Sequence, residues 1–387
     1  MTLREFLKNA EKVSTPAFYF DTDVFQNRVK FVKMELPKIP LTFSIKANPF
    51  LLNCLPDEIR HVEVCSPGEL KICKSYNIPG SRIIYSGVNK EMDDVAEAIE
   101  YGIDIATAES VLHIELEQDA AKKADKQQRV ILRLTSGNQF GMSEADILSI
   151  LANPAKYPNL DICGIHYYSG TQKKKRQIDK DFEKLDAALT QFKEKTGFVP
   201  RLVEMGPGFP VDYFNPPYDE TEEATLTENK DSILAFAEKY PLGIEMGRYL
   251  AAPCGTYATK VMDIKNNNDT DYIICDGGIH HLKYYGQTMA MQVPEMEVLN
   301  TSAAEKKPYC ICGSLCTVAD VLVREVELPI VSRNDVTLFH RCGAYSVTEG
   351  SALFLSRKLP EVYLYNEANG LEKMRSFVDA AAINRKD

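Results

Sequence analysis

Short apolar runs alternate with amphipathic stretches along the chain from about Leu41 to Glu245. The stretches between the runs, such as Lys90–Tyr101 and Arg176–Lys195, repeat their apolar positions with the period of a helix. Strands that alternate with helices in this way form a parallel sheet. The predicted strands are Leu41–Lys46, His61–Val64, Ile83–Ser86, Ile103–Ala106, Val130–Leu134, Asp161–His166, Arg201–Glu204 and Leu242–Glu245.

About eight strand and helix units of this kind fit a (β/α)8 barrel of ordinary size, and an open doubly wound sheet is the alternative because both share the pattern. A different pattern begins after Tyr249, where strands follow one another with turn residues and few helical stretches between them. This part is predicted to be an antiparallel β domain. Its predicted strands are Cys254–Met262, Asp271–Cys275, Val321–Leu328 and Asp335–Arg341, and its predicted loops are Asn266–Asn268 and Asn300–Lys307.

Ala17–Asp21 is a further predicted strand near the N-terminus. It follows Pro16 and precedes a helical pattern at Thr22–Met34, and we expect it to pair with the β domain and not with the barrel. The predicted organisation is a barrel over residues 22–249 and a β domain formed by residues 250–387 together with residues 1–21. A length of 387 residues agrees with two domains or with one barrel that carries an appendage.

The composition argues for a cytoplasmic protein without a nucleic-acid or membrane partner. Hydrophobic residues make up 44% and charged residues 26% of the chain, which is typical of globular proteins. A net charge of -10 argues against binding to nucleic acids and to anionic membranes. The sequence also has no apolar run long enough to span a bilayer. Met1–Val13 lacks the apolar core and cleavage site of a signal peptide.

The ten cysteines do not predict a disulfide framework. They are spread over a long chain without a secretory signal, so we expect reduced thiols. The densest group is Cys310, Cys312 and Cys316, followed at a distance by Cys342, and this spacing does not match a common zinc pattern. No metal site is predicted.

Lys46 closes the first predicted barrel strand. A lysine at the end of an apolar strand is partly desolvated, which lowers the pKa of the amine and makes it a nucleophile. The carboxyl ends of the strands are also where barrel active sites form. The plainer interpretation is a surface lysine whose side chain reaches out to water past the strand end.

Glycines and charged residues mark the ends of two later strands. Gly206-Pro207-Gly208 follows the predicted strand Arg201–Glu204, and its glycines would let backbone N–H groups approach an anion closely. A plain tight turn explains so short a motif equally well. Glu245 and Arg248 close the last strand, where they would form a structural ion pair or offer one anion and one cation to a ligand.

Aromatic and hydroxyl side chains gather at another strand end, in the segment from Gly164 to Gln172. An aromatic ring there could stack on a flat cofactor. A lone histidine such as His166 is more often a hydrogen-bonded structural residue. Cys316 lies further along the chain, and a free cysteine is most often a small buried hydrophobic residue.

The order of these motifs resembles that of the fold-type III pyridoxal-phosphate (PLP) decarboxylases, the family of ornithine, arginine and diaminopimelate decarboxylases. The resemblance extends from Thr15-Pro16 to about Glu361, and seven matches in the right order make it specific. The motifs are Ser44-Ile45-Lys46-Ala47-Asn48, Ser66-Pro67-Gly68-Glu69-Leu70, Gln139-Phe140-Gly141-Met142, Gly206-Pro207-Gly208-Phe209-Pro210, Glu245-Met246-Gly247-Arg248, Cys316 with Asp320, and Gly343-Ala344-Tyr345.

The resemblance implies a PLP-dependent decarboxylase with a (β/α)8 barrel, a β domain and a head-to-tail homodimer. It implies that Lys46 carries the cofactor as a Schiff base and that Glu245 keeps the pyridine nitrogen protonated. Glu63 falls where the family often has an aspartate near the cofactor. Cys316 matches a cysteine that reaches the cofactor across the subunit interface and can protonate the product carbon. The residues expected around the phosphate are Gly206, Gly208, Gly247, Arg248 and Tyr345, with Thr171 in place of the family's serine.

Several positions differ from the family pattern and bear on the substrate. Tyr168 stands where the family has a histidine stacked on the pyridine ring, and a tyrosine can still stack there. At the position of Thr317 the family normally has an acidic residue that helps to hold the substrate's distal amine. At the position of Gln139 it often has a lysine that pairs with the aspartate matched here by Asp320. Diaminopimelate enzymes usually have an arginine for the distal carboxylate around Leu282–Met291, and this segment has Lys283 and no arginine. We therefore expect Thr317, Asp320 and Lys283 at the substrate, which should have no free distal amine.

Three segments resemble one branch of this family, which includes decarboxylases of antibiotic and siderophore pathways. They are Tyr167–Gln172, Asp276–His281 and Leu315–Thr317. One of these, in butirosin synthesis, acts on a glutamyl group tethered to a carrier protein. The predicted substrate is thus an amino acid or a carrier-tethered derivative in a secondary-metabolite pathway. The alternatives are a diaminopimelate decarboxylase, an amino-acid racemase, against which Glu245 argues because racemases use arginine there, and a non-catalytic homologue.

Overall fold

The computed structural model describes residues 1–299 and 305–386. Two compact units are present, which we call the barrel unit (Arg28–Pro210 and Glu220–Tyr249) and the β unit (Met1–Asn27, Val211–Asp219 and Leu250–Asp387). The helices are α1 (Leu3–Asn9), α2 (Thr22–Glu35), α3 (Pro67–Ser75), α4 (Met92–Tyr101), α5 (Val111–Lys123), α6 (Glu144–Leu151), α7 (Lys175–Thr196), α8 (Tyr218–Lys239), α9 (Arg248–Ala251) and α10 (Ser346–Glu349). The strands are β1 (Ala17–Asp21), β2 (Leu41–Ser44), β3 (Ile59–Val64), β4 (Ile83–Tyr85), β5 (Ile105–Ala108), β6 (Gln128–Arg133), β7 (Leu160–Tyr168), β8 (Leu202–Gly206), β9 (Leu242–Met246), β10 (Gly255–Asn267), β11 (Thr270–Cys275), β12 (Met296–Val298), β13 (Lys306–Cys312), β14 (Val321–Pro329), β15 (Val336–His340), β16 (Glu361–Asn366) and β17 (Gly370–Arg375).

Eight parallel strands, β2 to β9, close the barrel. β2 pairs with both β3 and β9, so the first and last strands of the series meet. Every residue of β2, β4 and β5 is buried, as expected for parallel strands that helices enclose. Ile84, Ile105, Ile131 and Cys163, from four neighbouring strands, pack into one apolar cluster. The predicted (β/α)8 barrel is confirmed.

Serine caps begin several of the barrel helices close to the strand ends. The hydroxyl groups of Ser66, Ser110 and Ser143 accept hydrogen bonds from backbone N–H groups in the first turns of α3, α5 and α6. At the other end, α4 stops at Gly102, whose φ of 82° lies in the left-handed region that glycine adopts without strain. Ser66 and Ser110 stand two residues past the ends of β3 and β5, so these two helices begin directly beyond the strand ends.

The β unit contains a nine-stranded sheet in the order β14-β13-β11-β10-β1-β16-β17, with β15 paired to β10 and to β12. β1 pairs with β10 and β16, so the prediction that Ala17–Asp21 joins the β domain is confirmed. The β1–β16 and β11–β13 pairs are parallel, so the sheet is mixed and not purely antiparallel as predicted. One side of it packs with α1 through Leu3, Leu7, Tyr19 and Leu338.

The structure corrects some element bounds predicted from the sequence. β2 ends at Ser44, and Lys46 lies in the short 3-10 turn Ile45–Ala47 that follows. Asn266 and Asn267 are the last residues of β10, so the predicted loop at Asn266–Asn268 shrinks to a tight turn. Of the predicted loop Asn300–Lys307, Lys306 and Lys307 belong to β13, and residues 300–304 lie outside the described residues.

The two units also differ slightly from the predicted division, because residues 22–27 and Val211–Asp219 group with the β unit. Within the described part of the chain, no helix has the length and apolar content needed to cross a bilayer. All ten cysteines are free thiols. Over residues 1–299 and 305–386, histidine, cysteine, aspartate and glutamate form no group of three or more that could hold a metal ion.

Candidate active site

Lys46 lies among acidic side chains from the two strands that flank β2. Its Nζ is 2.6 Å from Oε2 of Glu63 on β3 and 3.7 Å from Oε1 of Glu245 on β9. The register explains this convergence, because Ser44 pairs with Glu63 and Thr42 pairs with Glu245. Glu63 and Glu245 are largely buried, whereas the Lys46 side chain is 39% exposed and so remains reachable from solvent.

Both carboxylate oxygens of Glu245 have polar partners. The hydroxyl of Ser44 donates to Oε1 at 2.8 Å, and Nε2 of His166 lies 3.2 Å from Oε2. Burial opposes a charge on this group, but the Lys46 ammonium, His166 and Ser44 together hold the pKa of Glu245 below its ordinary value. Glu245 is therefore an ionised carboxylate at neutral pH, which can hold a proton on a ring nitrogen.

A third carboxyl group, Glu204 on β8, lies in the same part of the barrel unit. It pairs in register with His166 and is almost completely buried. Burial raises the pKa of Glu204 to about 8, and the charges of Glu245 and Glu63 act in the same direction. Glu204 therefore carries its proton at neutral pH and adds no charge beside Glu245.

Tyr168 ends β7, and its ring packs directly against the backbone of Gly206. A Cβ atom on Gly206 would lie 2.5 Å from Cδ2 of the ring, so this position requires glycine. Burial raises the pKa of Tyr168, while the positive charges of Lys46 and Arg248 oppose that shift. Tyr168 therefore places a flat ring at the carboxyl end of β7, beside the end of β8.

Glycines bring several backbone segments together at these strand ends. Gly208 has a φ of 65°, and a side chain there would collide with the carbonyl oxygen of Gly170. A Cβ atom on Gly247 would lie 3.1 Å from Cβ of Ala47, so the end of β9 packs against the turn that carries Lys46. Thr171 follows Gly170, and its hydroxyl hydrogen-bonds to Tyr168. Within the barrel unit, the structure therefore brings the predicted cofactor residues to neighbouring strand ends.

The remaining predicted residues belong to the β unit. Cys316 is exposed and Thr317 is half-buried, and both lie on the loop between β13 and β14. Asp320 is buried at the end of this loop, and its carboxylate accepts hydrogen bonds from the backbone N–H groups of Ile279 at 2.8 Å and Leu315 at 2.7 Å. One oxygen of Asp320 thus binds the backbone of its own loop, and the other binds the backbone of the segment that follows β11.

Lys283 and Tyr345 occupy other segments of the β unit. Nζ of Lys283 is 3.2 Å from Oε2 of Glu349, and both side chains line a cavity of about 580 Å³ together with Val318 and Arg324. Tyr345 precedes α10 and has a φ of 68°, a left-handed conformation that is strained for a tyrosine. Such strain is typical of residues that a functional site holds in place.

The side chains at the strand ends of the barrel unit have the chemical groups needed to bind pyridoxal phosphate. It offers an amine (Lys46), an ionised carboxylate (Glu245) and a flat aromatic ring (Tyr168) within one group of strand ends. It also offers glycine-lined backbone beside an arginine, Arg248, which is the arrangement that proteins use for phosphate groups. These are the donor and acceptor types that the aldehyde, ring nitrogen, ring face and phosphate of this cofactor require.

Known proteins match the chain over this same region. The family model described as the pyridoxal-binding domain of pyridoxal-dependent decarboxylases matches residues 22–252, which is more than half of the sequence. The chain belongs to this family. A pyridoxal-dependent decarboxylase is a lyase, and pyridoxal phosphate is its cofactor.

Curated relatives of this decarboxylase extend over most of its length. The L-glutamyl-(BtrI acyl-carrier protein) decarboxylase of Niallia circulans is 27% identical, covering 90% of this chain and 88% of the relative. A diaminopimelate decarboxylase of Bacteroides thetaiotaomicron is 25% identical, covering 92% and 96% respectively. The 2-((L-alanin-3-ylcarbamoyl)methyl)-2-hydroxybutanedioate decarboxylase of Staphylococcus aureus is 23% identical, covering 90% and 93%.

Solved structures share the fold of this decarboxylase. Diaminopimelate decarboxylase from M. jannaschii, in complex with L-lysine, superposes with a TM-score of 0.85 at 21% identity, covering 98% of this chain and 93% of that chain. A lysine/ornithine decarboxylase from Vibrio vulnificus, in complex with cadaverine, gives a TM-score of 0.82 at 20% identity, covering 94% and 98%. These likenesses agree with the barrel and β sheet described above.

Sequence reasoning did not assign four polar groups of the site, namely Ser44, Cys65, His166 as a partner of Glu245, and Glu204. The signal for His166 was present, because side chains alternate along a strand and His166 lies on the same face as Tyr168. The same alternation puts Glu204 on the face of Gly206. Which strands are neighbours, and in what register, is needed before these faces can be matched to Glu245.

Proposed function

We propose that this decarboxylase removes the α-carboxylate of an amino acid or aminoacyl derivative that lacks a free distal amine, in a secondary-metabolite pathway. The observation that carries the proposal is the loop from Gly313 to Asp320. Thr317 is neutral, and both carboxylate oxygens of Asp320 accept backbone hydrogen bonds. Asp320 is the loop's one acidic residue and is buried, so the loop presents no exposed carboxylate to an ammonium group, which is costly to desolvate without a partner.

Two of the relatives are named for substrates of this kind. The Niallia circulans enzyme is named for a glutamyl group on an acyl-carrier protein, and the Staphylococcus aureus enzyme for an alanyl group whose 3-nitrogen is part of an amide. Neither named group has a free distal amine. Diaminopimelate decarboxylase is the second candidate, because relatives with that name match at similar identity.

Different residues of the chain would contact different parts of the cofactor. When bound, pyridoxal phosphate supplies an electron sink for the carbon–carbon bond that breaks. Lys46 is the amine that would attach to it, and Glu245 would hold the proton on the ring nitrogen. Tyr168 and Glu63 would lie beside the ring and the attachment point. The phosphate would be bound by Gly206, Gly208, Gly247, Arg248, Thr171 and Tyr345.

We further propose a cytoplasmic homodimer with shared active sites, in which Cys316 protonates the product carbon across the subunit interface. An exposed thiol on an exposed loop supports this role. Mixing Lys46→Ala with Cys316→Ala protein tests it, because each mixed dimer regains one intact site. Full subunit exchange should return about a quarter of the wild-type activity, since half of the dimers are then mixed. No recovery after confirmed exchange would contradict sharing.

Carbon dioxide release from a substrate panel tests the substrate class. The panel pairs acylated or acidic substrates (glutamate, glutamine, a glutamyl thioester of N-acetylcysteamine and 3-N-acyl-2,3-diaminopropionate) with free diamines (ornithine, lysine and meso-diaminopimelate). We expect faster turnover in the first group, with Lys46→Ala as the blank. Faster turnover of any free diamine than of every acylated or acidic substrate would overturn the proposal.

A further inference from the structure

Glu63 connects the candidate cofactor lysine to a cysteine. Its Oε2 accepts from Nζ of Lys46 at 2.6 Å, and its Oε1 accepts from Sγ of Cys65 at 2.9 Å. Nζ of Lys46 and Sγ of Cys65 are themselves 3.4 Å apart. An amine, a thiol and a bridging carboxylate therefore lie in mutual contact, and the proposed decarboxylation does not use the thiol.

The surrounding backbone fixes this arrangement. Glu63 lies in β3 and Cys65 follows the end of that strand, so the alternation of side chains directs both to the same side. The N–H of Cys65 donates to Oε2 of Glu69 at 2.6 Å, and Ser66 caps α3 directly afterwards. Cys65 is thus held at the start of a capped helix while Lys46 approaches from the neighbouring strand end.

We propose that Lys46 and Cys65 form a covalent sulfur–nitrogen link when the cofactor-free enzyme meets hydrogen peroxide. The Cys65 sulfur attacks a peroxide oxygen, the O–O bond breaks, and a sulfenic acid and one water form. Lys46 then gives up its ammonium proton to solvent and its neutral amine attacks this sulfur, so that the S–O bond breaks and a second water leaves. One peroxide is consumed and the protein loses two hydrogens.

Glu63 is the group that makes the first step possible. Burial raises the pKa of the Cys65 thiol, and the neighbouring Glu63 carboxylate raises it further while the Lys46 ammonium opposes it. Free thiolate is therefore scarce, and the reaction depends on Oε1 of Glu63 accepting the thiol proton as sulfur attacks. We accordingly expect a slow reaction that needs excess peroxide, which reaches the pair through the exposed part of Lys46.

The link and the cofactor compete for the same nitrogen. This consequence rests on the proposed role of Lys46 as the attachment site. A linked Lys46 has no free amine for pyridoxal phosphate, and an occupied Lys46 has none for the sulfenic acid. Oxidation would therefore block loading of the empty enzyme, spare the loaded enzyme, and be reversed by thiols that reduce the S–N bond.

Peptide mapping tests the link directly. Cofactor-free protein is treated with hydrogen peroxide, alkylated with iodoacetamide and digested with trypsin. Because trypsin does not cleave after a linked lysine, residues 39–60 should appear joined to residues 61–71, two hydrogens below the sum of the two peptides. A disulfide between Cys54 and Cys65 would instead join residues 47–60 to residues 61–71, since Lys46 would still be cleaved.

Matched variants separate this chemistry from general thiol damage. Cys65→Ala, or Cys65→Ser as a second variant, should abolish the joined peptide. Cys54→Ala should keep it, because this half-buried thiol of the barrel unit donates to the carbonyl of Leu51 and lies outside the contact of Lys46, Glu63 and Cys65 that carries the proposal. Glu63→Gln should slow its formation. Finding Cys65 only as sulfinic or sulfonic acid, or only in a disulfide, would overturn the proposal.

Cofactor loading provides an independent measurement. After peroxide is removed, added pyridoxal phosphate should fail to restore the cofactor absorbance band in oxidised wild type, and dithiothreitol should restore it. Oxidised Cys65→Ala should load like its own untreated sample. A joined peptide together with normal loading would support the link and would instead contradict Lys46 as the attachment site, so the two failures are distinguishable.

Discussion

The barrel unit and the β unit hold their candidate residues in different ways. In the barrel unit, Lys46, Glu63 and Glu245 meet because neighbouring strands fix their register, and their polar partners are other side chains. In the β unit, Cys316 and Thr317 lie on a loop with an exposed thiol and a buried carboxylate that binds backbone N–H groups. In the barrel unit strand pairing thus fixes the side chains relative to one another, whereas in the β unit backbone N–H groups hold the one buried carboxylate and leave the exposed thiol out of that network.

The largest effect should follow from removing the amine of the barrel unit. Lys46→Ala should lose the cofactor absorbance band of the purified protein, and its carbon dioxide release should fall to background, because no other group can attach the cofactor at that position. Lys239→Ala is the control, since Lys239 is an exposed lysine paired with Asp186. An unchanged spectrum in Lys46→Ala would refute the assignment.

Removing the charge of Glu245 should have the next largest effect. Glu245→Gln keeps the size of the side chain but can no longer stabilise a proton on the ring nitrogen. We expect kcat to fall by roughly 100- to 1,000-fold, the usual effect of losing one preorganised electrostatic contact. Steady-state kinetics at saturating pyridoxal phosphate measure this, and the absorbance band should persist. A kcat close to wild type would show that Glu245 does not contact the ring.

A change in the loop of the β unit should alter selectivity and leave the cofactor untouched. Thr317→Glu should raise kcat/KM for ornithine or lysine by roughly 10- to 100-fold, because a charge-assisted hydrogen bond contributes about 1.5–3 kcal/mol. Thr317→Gln, which is as long but neutral, is the matched control. Equal rates for the two variants would mean that this position does not contact the distal end of the substrate.

The smallest effect concerns Glu204 and appears as a pH dependence of stability. Burial raises its pKa in the folded protein to about 8 from an ordinary value of 4.5. The folded state therefore binds more protons between these pH values, and its stability falls as the pH rises towards 8. Glu204→Gln cannot ionise, so its Tm should fall less between pH 6 and pH 9 than that of wild type.

Differential scanning calorimetry measures this difference, which should be a few degrees. A group that ionises only above a folded-state pKa of about 8 contributes about 2.7 kcal/mol over two pH units, and about 1 kcal/mol corresponds to roughly 1 °C for a chain of this length. Glu238→Gln serves as the control, since Glu238 is exposed on α8. Parallel pH curves for wild type and Glu204→Gln would mean that Glu204 is ionised in the folded protein.

Much of the barrel could be predicted from the sequence, because buried parallel strands are short apolar runs with helices between them. The predicted strands agree with β2 to β9 to within a few residues at each end. The β unit was predicted less completely. β12 has three half-buried residues, and β17, with the sequence Gly-Leu-Glu-Lys-Met-Arg, has no buried residue. Such strands depend on their partners, and local patterns do not identify partners far along the chain.

The candidate site shows the same limit. Motifs around Lys46, Glu245 and the glycine loop could be recognised because they are local in sequence. The contact between His166 and Glu245 depends on two strands that share no local pattern, so it emerged only from the folded chain. The hydrogen bonds of Asp320 go to backbone groups, which carry no residue signature at all.

The position of β1 has a consequence for synthesis on the ribosome. This strand leaves the ribosome early, yet its partners β10 and β16 are made much later. At usual translation rates, β16 is synthesised roughly tens of seconds after β1, and the barrel strands are synthesised in between. During that interval the apolar segment Ala17–Asp21 has unpaired edges and an affinity for any other exposed strand. Nascent chains of this protein should therefore bind chaperones through their first residues until translation is nearly finished.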